Sequence, residues 1–100
     1  MKVYLIRETE TDNYKIGRTS KSVADRISQL QTGCSNEIEF VDSFETNDIK
    51  LETMLHGYFC TARKKGEWFE LSYDKVLLFQ STCKKLQEQL EFLKEHNSFF

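Results

Sequence analysis

The sequence contains no proline and only four glycines among its 100 residues. Flexible linkers between domains are rich in such residues, so we expect a single domain over residues 1–100. The chain also has no apolar run near the roughly 20 residues that a membrane-spanning helix needs. The apolar stretch at its start is too short for a signal-peptide core and runs straight into charged residues. We therefore expect neither a membrane protein nor a secretion signal.

Cysteine is also scarce. Cys34, Cys60 and Cys83 are odd in number and widely spaced, which is typical of reduced thiols inside a cell. No close pair of cysteines or histidines predicts a zinc site, and no activating neighbour marks a thiol nucleophile. These absences indicate an intracellular, cytoplasmic protein and make zinc or cysteine chemistry a weak alternative.

The chain lacks the overall positive charge of a typical nucleic-acid-binding protein, because its net charge is −2. The charge is nevertheless uneven. Residues 1–36 carry six basic and four acidic side chains, whereas residues 37–72 carry eight acidic and four basic ones. This pattern fits either ordinary solvated surface or a phosphate-binding rim. The side chains of such a DNA-binding rim would be Arg18, Thr19, Lys21, Arg26, Arg63, Lys64 and Lys65.

The hydrophobic content predicts a folded chain, because 39% of the residues are hydrophobic and 13% are aromatic. Lys2–Arg7 and Asn13–Arg18 are rich in residues that favour strands. The polar segment Glu8–Asn13 between them predicts a hairpin turn. Gly17 removes a side chain from the second strand, which would let a ligand approach the backbone closely.

The rest of the chain predicts alternating helices and strands. A capping box that begins at Ser22 opens a helix to about Gln31, and Gly33 is expected to end it in the left-handed conformation. The later elements are a strand at Ile38–Phe44, a helix at Asp48–Cys60, a basic loop at Thr61–Gly66, a strand at Glu67–Leu71 and a C-terminal helix over residues 73–95. The order ββαβαβα predicts an α/β (α+β) fold with a small, mostly antiparallel sheet flanked by helices and a core in residues 2–72.

The predicted C-terminal helix carries apolar residues at alternating spacings of three and four. They are Val76, Phe79, Cys83, Leu86, Leu90 and Leu93. Such a seam is typical of helices that pair, although it lasts for fewer than three heptads. Two interpretations are open: the helix packs across the sheet of its own domain, or it pairs with a second copy in a homodimer.

Three polar side chains on the predicted helices are candidates for chemistry. Arg26 is either a surface residue paired with Asp25 or Glu52, or a bidentate clamp on a phosphate. Glu52 and His56 are four residues apart and share one helix face. They form either a surface pair or a site in which the carboxylate binds Mg²⁺ and the imidazole binds phosphate or transfers a proton.

Several motifs, taken in order, resemble those of the GIY-YIG endonuclease superfamily. Val3-Tyr4-Leu5-Ile6 resembles the first half of its two-strand signature, and Tyr14-Lys15-Ile16-Gly17 resembles the second. Arg26 follows at the distance where the family places its helix arginine. Residues 51–59 and 66–69 are similar to a helix and a strand motif of one branch, the small phage and meiotically up-regulated open reading frames. The resemblance covers about residues 2–72.

This resemblance implies a GIY-YIG nuclease-like fold and a metal-dependent DNA endonuclease that nicks DNA. It implies a bacterial or phage-infected host cell, or a nucleus if the source is eukaryotic. In such nucleases Tyr4 would help to activate the attacking water, Arg26 would steady the scissile phosphate and Glu52 would hold Mg²⁺ (or Mn²⁺). His56 would be a neighbour in the site. A bound cation and a guanidinium would offset the charge on the phosphoryl oxygens.

Two positions depart from the signature of the superfamily. Val3 stands where the first motif has a glycine. Lys15 stands where the second motif has a tyrosine, and Tyr14 is displaced by one position, onto the opposite side of the strand. Both motif tyrosines, Tyr4 and Tyr14, also fit ordinary packing. Lys15 would supply positive charge at the phosphate or act as a base, or it would mark a domain whose hydrolysis is slow or lost. The alternative function is therefore a module that binds DNA or a protein partner.

Overall fold

A computed structural model of the chain describes residues 1–96. Its strands are β1 (Lys2–Glu8), β2 (Asn13–Thr19), β3 (Ile38–Glu45), β4 (Arg63–Lys65) and β5 (Trp68–Glu70). Its helices are α1 (Val23–Thr32), α2 (Lys50–Tyr58), α3 (Tyr73–Leu77) and α4 (Phe79–His96), with a 3₁₀ turn at Cys60–Ala62. The strands form one sheet in the order β3-β1-β2-β5-β4, and every neighbouring pair is antiparallel. The predicted fold class, a mixed α/β fold on an antiparallel sheet, is confirmed.

The β1–β2 hairpin determines which side chains share a face of the sheet. Tyr4 lies opposite Gly17, and Leu5 lies opposite Ile16. Opposed residues of an antiparallel pair point to the same face, and successive residues point to opposite faces. Tyr4, Gly17 and Lys15 therefore share the face that α1 covers. Leu5 and Ile16 share the face that α2 and α4 cover.

The larger hydrophobic core lies between the sheet and the helices α2 and α4. Its buried residues include Val3, Leu5, Tyr14, Ile16 and Phe69 from the strands and Leu51, Leu55, Phe79, Cys83, Leu86 and Leu90 from the helices. Burial of each large apolar side chain stabilises the fold by about 1.5–3 kcal/mol relative to exposure. This layer is therefore the main source of stability.

A smaller core lies on the other face, beneath α1. It joins Tyr4, Ile6 and Ile38 of the sheet to Val23, Ile27 and Leu30 of α1, with Trp68 packed beside them. The apolar stripe of α1 is the one that its sequence spacing predicts. Ser22 caps the helix, because its Oγ accepts a hydrogen bond from the backbone nitrogen of Asp25 at 3.1 Å.

The C-terminal helix is broken in two, so the prediction of one continuous helix over residues 73–95 is wrong. α3 ends at Leu77 and α4 begins at Phe79, with Leu78 between them at φ −91° and ψ 7°. The break brings Phe79 into the larger core and leaves Leu77 and Leu78 more than half exposed. The break therefore coincides with the change from exposed to buried apolar side chains.

The apolar seam of this segment is used mainly inside the chain's own fold. Four seam residues are buried in the larger core: Phe79, Cys83, Leu86 and Leu90. This is the first of the two interpretations of the seam. A homodimer through the helix stays a prediction, and it would have to use the exposed Phe92 and Leu93.

Polar contacts tie α4 to the connection between β3 and α2. Thr46 Oγ1 donates to Gln87 Oε1 at 2.6 Å, and Lys94 Nζ lies 2.6 Å from Asp48 Oδ2. The other carboxylate oxygen of Asp48 accepts from the backbone nitrogen of Lys50 at 2.9 Å, in the first turn of α2. The hydrogen bond from Lys94 lowers the pKa of buried Asp48. Asp48 therefore caps one helix and anchors another.

Two local predictions are wrong. The segment Thr61–Gly66 is not a loop, because it contains the 3₁₀ turn and the strand β4, which pairs with β5. Gly33 ends α1 at φ −96°, outside the left-handed region, whereas Gly66 at φ 58° makes the tight turn between β4 and β5. The segment Arg63–Lys65 is a strand because its backbone pairs with β5, and the backbone N–H of Gly33 bonds back into the last turn of α1.

Within residues 1–96, no helix combines the length and the hydrophobicity needed to cross a bilayer.

Gly17→Ala is expected to lower the free energy of unfolding by about 1–3 kcal/mol, the usual cost of overpacking a core. The added Cβ would overlap the hydroxyl and ring of Tyr4. Gly33→Ala is the matched control, because only the backbone oxygen of Leu30, at 3.8 Å, lies near its Cβ. Urea unfolding measures both variants. Equal stabilities would contradict the packing of Tyr4 against β2.

Asp48→Ala is expected to lower the free energy of unfolding by about 1–3 kcal/mol, because a helix cap and a hydrogen bond to a charged group are lost. The folded pKa of Asp48 is depressed, so its stabilisation exists above the unfolded pKa and is lost as the pH falls through the folded pKa. Unfolding at neutral pH and in strong acid measures this, with exposed Asn47→Ala as the control. The same loss at both pH values would rule out a role for the ionised carboxylate.

Candidate functional site

The site is built around the edge of β2 at Ile16. The ladder between β2 and β5 pairs Asn13–Lys15 with Trp68–Glu70 and ends there. Just beyond it, the backbone nitrogen of Ile16 donates to the backbone oxygen of Glu67 at 3.1 Å. The backbone oxygen of Ile16 lies 2.8 Å from His56 Nε2. A side chain of α2 therefore takes the place that a longer β5 would occupy.

The two neighbours of His56 determine its tautomer. A carbonyl oxygen only accepts, so Nε2 carries the proton that is donated to Ile16. Nδ1 lies 3.1 Å from Nη2 of Arg63, and a guanidinium only donates, so Nδ1 accepts. The ring also packs edge-on against Phe69, with 5.1 Å between centroids. Neither nitrogen is available for proton transfer in this arrangement, and His56 ties α2 to β2.

Glu52 lies one helical turn before His56 and is partly buried. Burial raises the pKa of its carboxyl, and the negative charge of Glu67 raises it further. The positive charges of Arg18 and Lys15 oppose this rise. The ionised form of Glu52 is therefore destabilised in the folded protein unless a cation binds beside it.

Lys15 lies on the same face of the sheet as Tyr4 and Gly17 and has two partners there. Its Nζ lies 3.3 Å from Glu67 Oε2 and 6.0 Å from the ring centroid of Trp68. Glu67 is the site residue that the sequence reasoning missed. The sequence does contain a pointer to Glu67, because this residue is the charged member of the motif at residues 66–69.

The structure places the two motif tyrosines on opposite faces of the sheet. Tyr4 is 1% exposed and packs against Gly17, which leaves room for its hydroxyl. Tyr14 is 4% exposed in the larger core. The structure therefore does not bring Tyr14 to the side of Tyr4 and Lys15.

A basic cavity of about 400 Å³ lies between the end of β2 and the start of α1. Its lining residues are Met1, Arg18, Thr19, Ser20, Lys21, Arg26 and Gln29. Nη1 of Arg26 lies 3.4 Å from Gln29 Oε1, so its partner is neither of the two acids that the sequence suggested. Thr19 Oγ1 accepts from the backbone nitrogen of Lys21 at 3.1 Å, which orders the rim. Three cations thus surround a space that suits a phosphate.

The predicted phosphate-binding rim is split by the fold. Arg63 lies beside His56, whereas Lys64 and Lys65 line a separate cavity of about 210 Å³ next to Trp68. Lys64 donates to Asn13 Oδ1 at 3.1 Å. Lys64 and Lys65 therefore form a second basic surface on β4, apart from the basic cavity, whereas Arg63 lies with His56.

The donor set limits which metal the site fits. Among residues 1–96, no group of three or more His, Cys, Asp or Glu side chains is arranged to hold an ion. Zinc sites use three or four protein ligands, whereas Mg²⁺ keeps most of its waters and binds through one or two carboxylates. Glu52 fits Mg²⁺ or Mn²⁺ in this respect and does not fit zinc.

Glu52→Gln is expected to raise the melting temperature at neutral pH, because it removes a charge that burial and Glu67 disfavour. For a carboxyl with a raised folded pKa, stability is full below the unfolded pKa and is lost as the pH rises through the folded pKa. The gain should therefore vanish in acid. Thermal unfolding without divalent metal measures this change in melting temperature. The control is Glu70→Gln, at an exposed position. A variant less stable than the wild type at neutral pH would contradict the electrostatic argument.

Residues 1–94 match the family profile of the T5orf172 domain. Comparisons with curated proteins and with solved structures give no significant match. The matched region runs from β1 through most of α4 and includes the basic cavity and the residues around Ile16. The chain therefore belongs to the T5orf172 domain family, in a phage-associated group of endonuclease-like domains.

Proposed function

We propose that the protein is a metal-dependent DNA endonuclease of the GIY-YIG type that nicks DNA. Membership of the T5orf172 family supports a nuclease-like, DNA-binding function. The observation that carries the proposal is the position of Arg18. It lines the basic cavity together with Arg26, and its charge acts on the partly buried Glu52. A phosphate in the cavity would meet two guanidinium groups close to a carboxylate that favours a cation.

In this proposal the basic cavity binds the DNA backbone. Arginine binds phosphate oxygens through paired N–H donors. To bind a phosphate, Arg26 would lose only its 3.4 Å hydrogen bond to Gln29. Arg18 and Lys21 would hold the same phosphate or its neighbour. The second basic surface, on β4, would contact the backbone further along.

The chemistry would take place at the edge of β2 near Ile16. There Glu52 of α2, on one side of the sheet, lies within electrostatic range of Lys15, on the other side. Glu52 would hold Mg²⁺ or Mn²⁺, which would make a bound water more nucleophilic and offset charge on the phosphoryl group. Lys15 would add positive charge at the phosphate. Tyr4, on the same face of the sheet as Lys15, would orient the attacking water through its hydroxyl group. His56 would keep α2, and with it Glu52, against β2.

DNA as the substrate would place the protein in the cytoplasm of a bacterial or phage-infected cell, or in a nucleus. One site cuts one strand. Cleavage of both strands would need two copies, for which the exposed Phe92 and Leu93 of α4 offer a contact.

A second candidate function is a module that binds DNA or a protein partner without turnover. Two observations favour it. Tyr4 is almost fully buried, and the charge of Lys15, in the place of a motif tyrosine, is offset by Glu67. Such a module would keep the basic cavity and would lack cleavage.

Nicking of supercoiled plasmid in Mg²⁺ separates the two functions. Glu52→Ala and Arg26→Ala are each expected to lower the nicking rate by about 100-fold or more, the scale for removing one preorganised electrostatic group. Asp25→Ala, next to Arg26, and Glu70→Ala, exposed on β5, are the matched controls. Both controls should keep the rate and the melting temperature of the wild type.

Other outcomes of this assay would be equally decisive. Retained DNA binding without nicking in Mg²⁺ or Mn²⁺ would favour the binding module. Absence of DNA binding at low salt, where phosphate contacts are strongest, would count against both functions. Full activity in Glu52→Ala would remove the proposed metal ligand.

A further inference from the structure

Glu67 is a charged residue of the site to which the proposed chemistry gives no role. It follows Gly66, whose φ of 58° makes the tight turn after β4. Its backbone oxygen accepts from the nitrogen of Ile16 at 3.1 Å, and its Oε2 lies 3.3 Å from Lys15 Nζ. Glu67 is thus fixed to β2 twice, once through its backbone and once through its side chain.

The ion pair restricts the ammonium group of Lys15. The side chain of Lys15 is only 16% exposed, whereas that of Glu67 is 40% exposed. The ring centroid of Trp68 lies 6.0 Å from the ammonium nitrogen. A flexible lysine side chain ordinarily samples many rotamers. The Glu67 carboxylate and the Trp68 indole therefore restrict Lys15 to few of them.

We infer that Glu67 is a positioning residue, whose carboxylate holds the Lys15 ammonium on the face of the sheet that carries Tyr4 and Gly17. The inference rests on the proposed nuclease function, in which this ammonium meets the scissile phosphate. Glu67 itself is an anion and repels a phosphate. Its contribution is therefore to the rate, through the placement of Lys15, and not to DNA affinity.

Glu67→Gln tests this role because it removes the charge and keeps the size of the side chain and the backbone hydrogen bond to Ile16. We expect the single-turnover nicking rate to fall by about 10- to 100-fold, the scale for a misplaced reacting group. The dissociation constant for DNA should stay the same or become smaller, since a repelling charge is gone. A purely structural defect would weaken binding and lower the melting temperature as well. Glu70→Gln, on the neighbouring strand, is the matched control.

A double-mutant cycle shows whether Glu67 acts through Lys15. Lys15→Met keeps an apolar chain of similar length and should lower the nicking rate at least as much as Glu67→Gln does. In the Lys15→Met background, Glu67→Gln should cause no further loss. A loss that persists in full in that background would overturn the inference.

Amine labelling of Lys15, followed by mass spectrometry, tests the placement without any cleavage. Glu67→Gln should raise the labelling rate of Lys15 several-fold, because the amine loses the carboxylate beside it. The exposed Lys65 should label at an unchanged rate. Unchanged labelling of Lys15 would overturn the inference even if nicking falls. A wild type that shields Lys15 as expected but never nicks DNA would instead refute the nuclease proposal, and the ion pair would then be structural only.

Discussion

The register between β1 and β2 is the constraint on which the rest of the structure depends. With Tyr4 opposite Gly17, Lys15 falls on the α1 face and Ile16 on the face of the larger core. A slip of one residue would exchange the two faces, which would place Lys15 in the larger core and Ile16 on the face that α1 covers. The strand pairing that builds the hydrophobic layers therefore also determines on which face of the sheet each polar group of the site lies.

The second constraint is the short length of β5, because the β2–β5 ladder ends at Lys15 and leaves that edge of β2 without strand pairing beyond it, while β1 continues on the other edge. A buried backbone amide and carbonyl need hydrogen-bond partners. Those of Ile16 are satisfied by the backbone of Glu67 and the side chain of His56. These contacts bring the turn after β4 and the helix α2 to the same point, so a requirement of the backbone gathers the charged residues. The cost is a partly buried Glu52 with a like charge nearby, a kind of local conflict that proteins keep at functional sites.

Local sequence patterns predicted much of the fold. Residues that favour strands predicted β1 and β2, and the capping box with its apolar stripe predicted α1. The same reasoning missed β4, because Arg63–Lys65 has no apolar alternation and becomes a strand only by pairing with β5. It missed the break at Leu78 because the apolar seam continues through that position, and the packing of Phe79 in the larger core is not visible in the local spacing.

By itself, the sequence determined which side chains carry charge and put Tyr14 and Lys15 on opposite sides of one strand, because alternation is a property of the strand alone. The tertiary structure decided which of these groups meet. His56 reaches Ile16 across 40 positions of the chain, Glu67 pairs with Lys15, and Arg63 lies apart from Arg18 and Arg26. Such contacts depend on strand order and on where each ladder ends, and these follow from the packing of distant segments rather than from any local pattern.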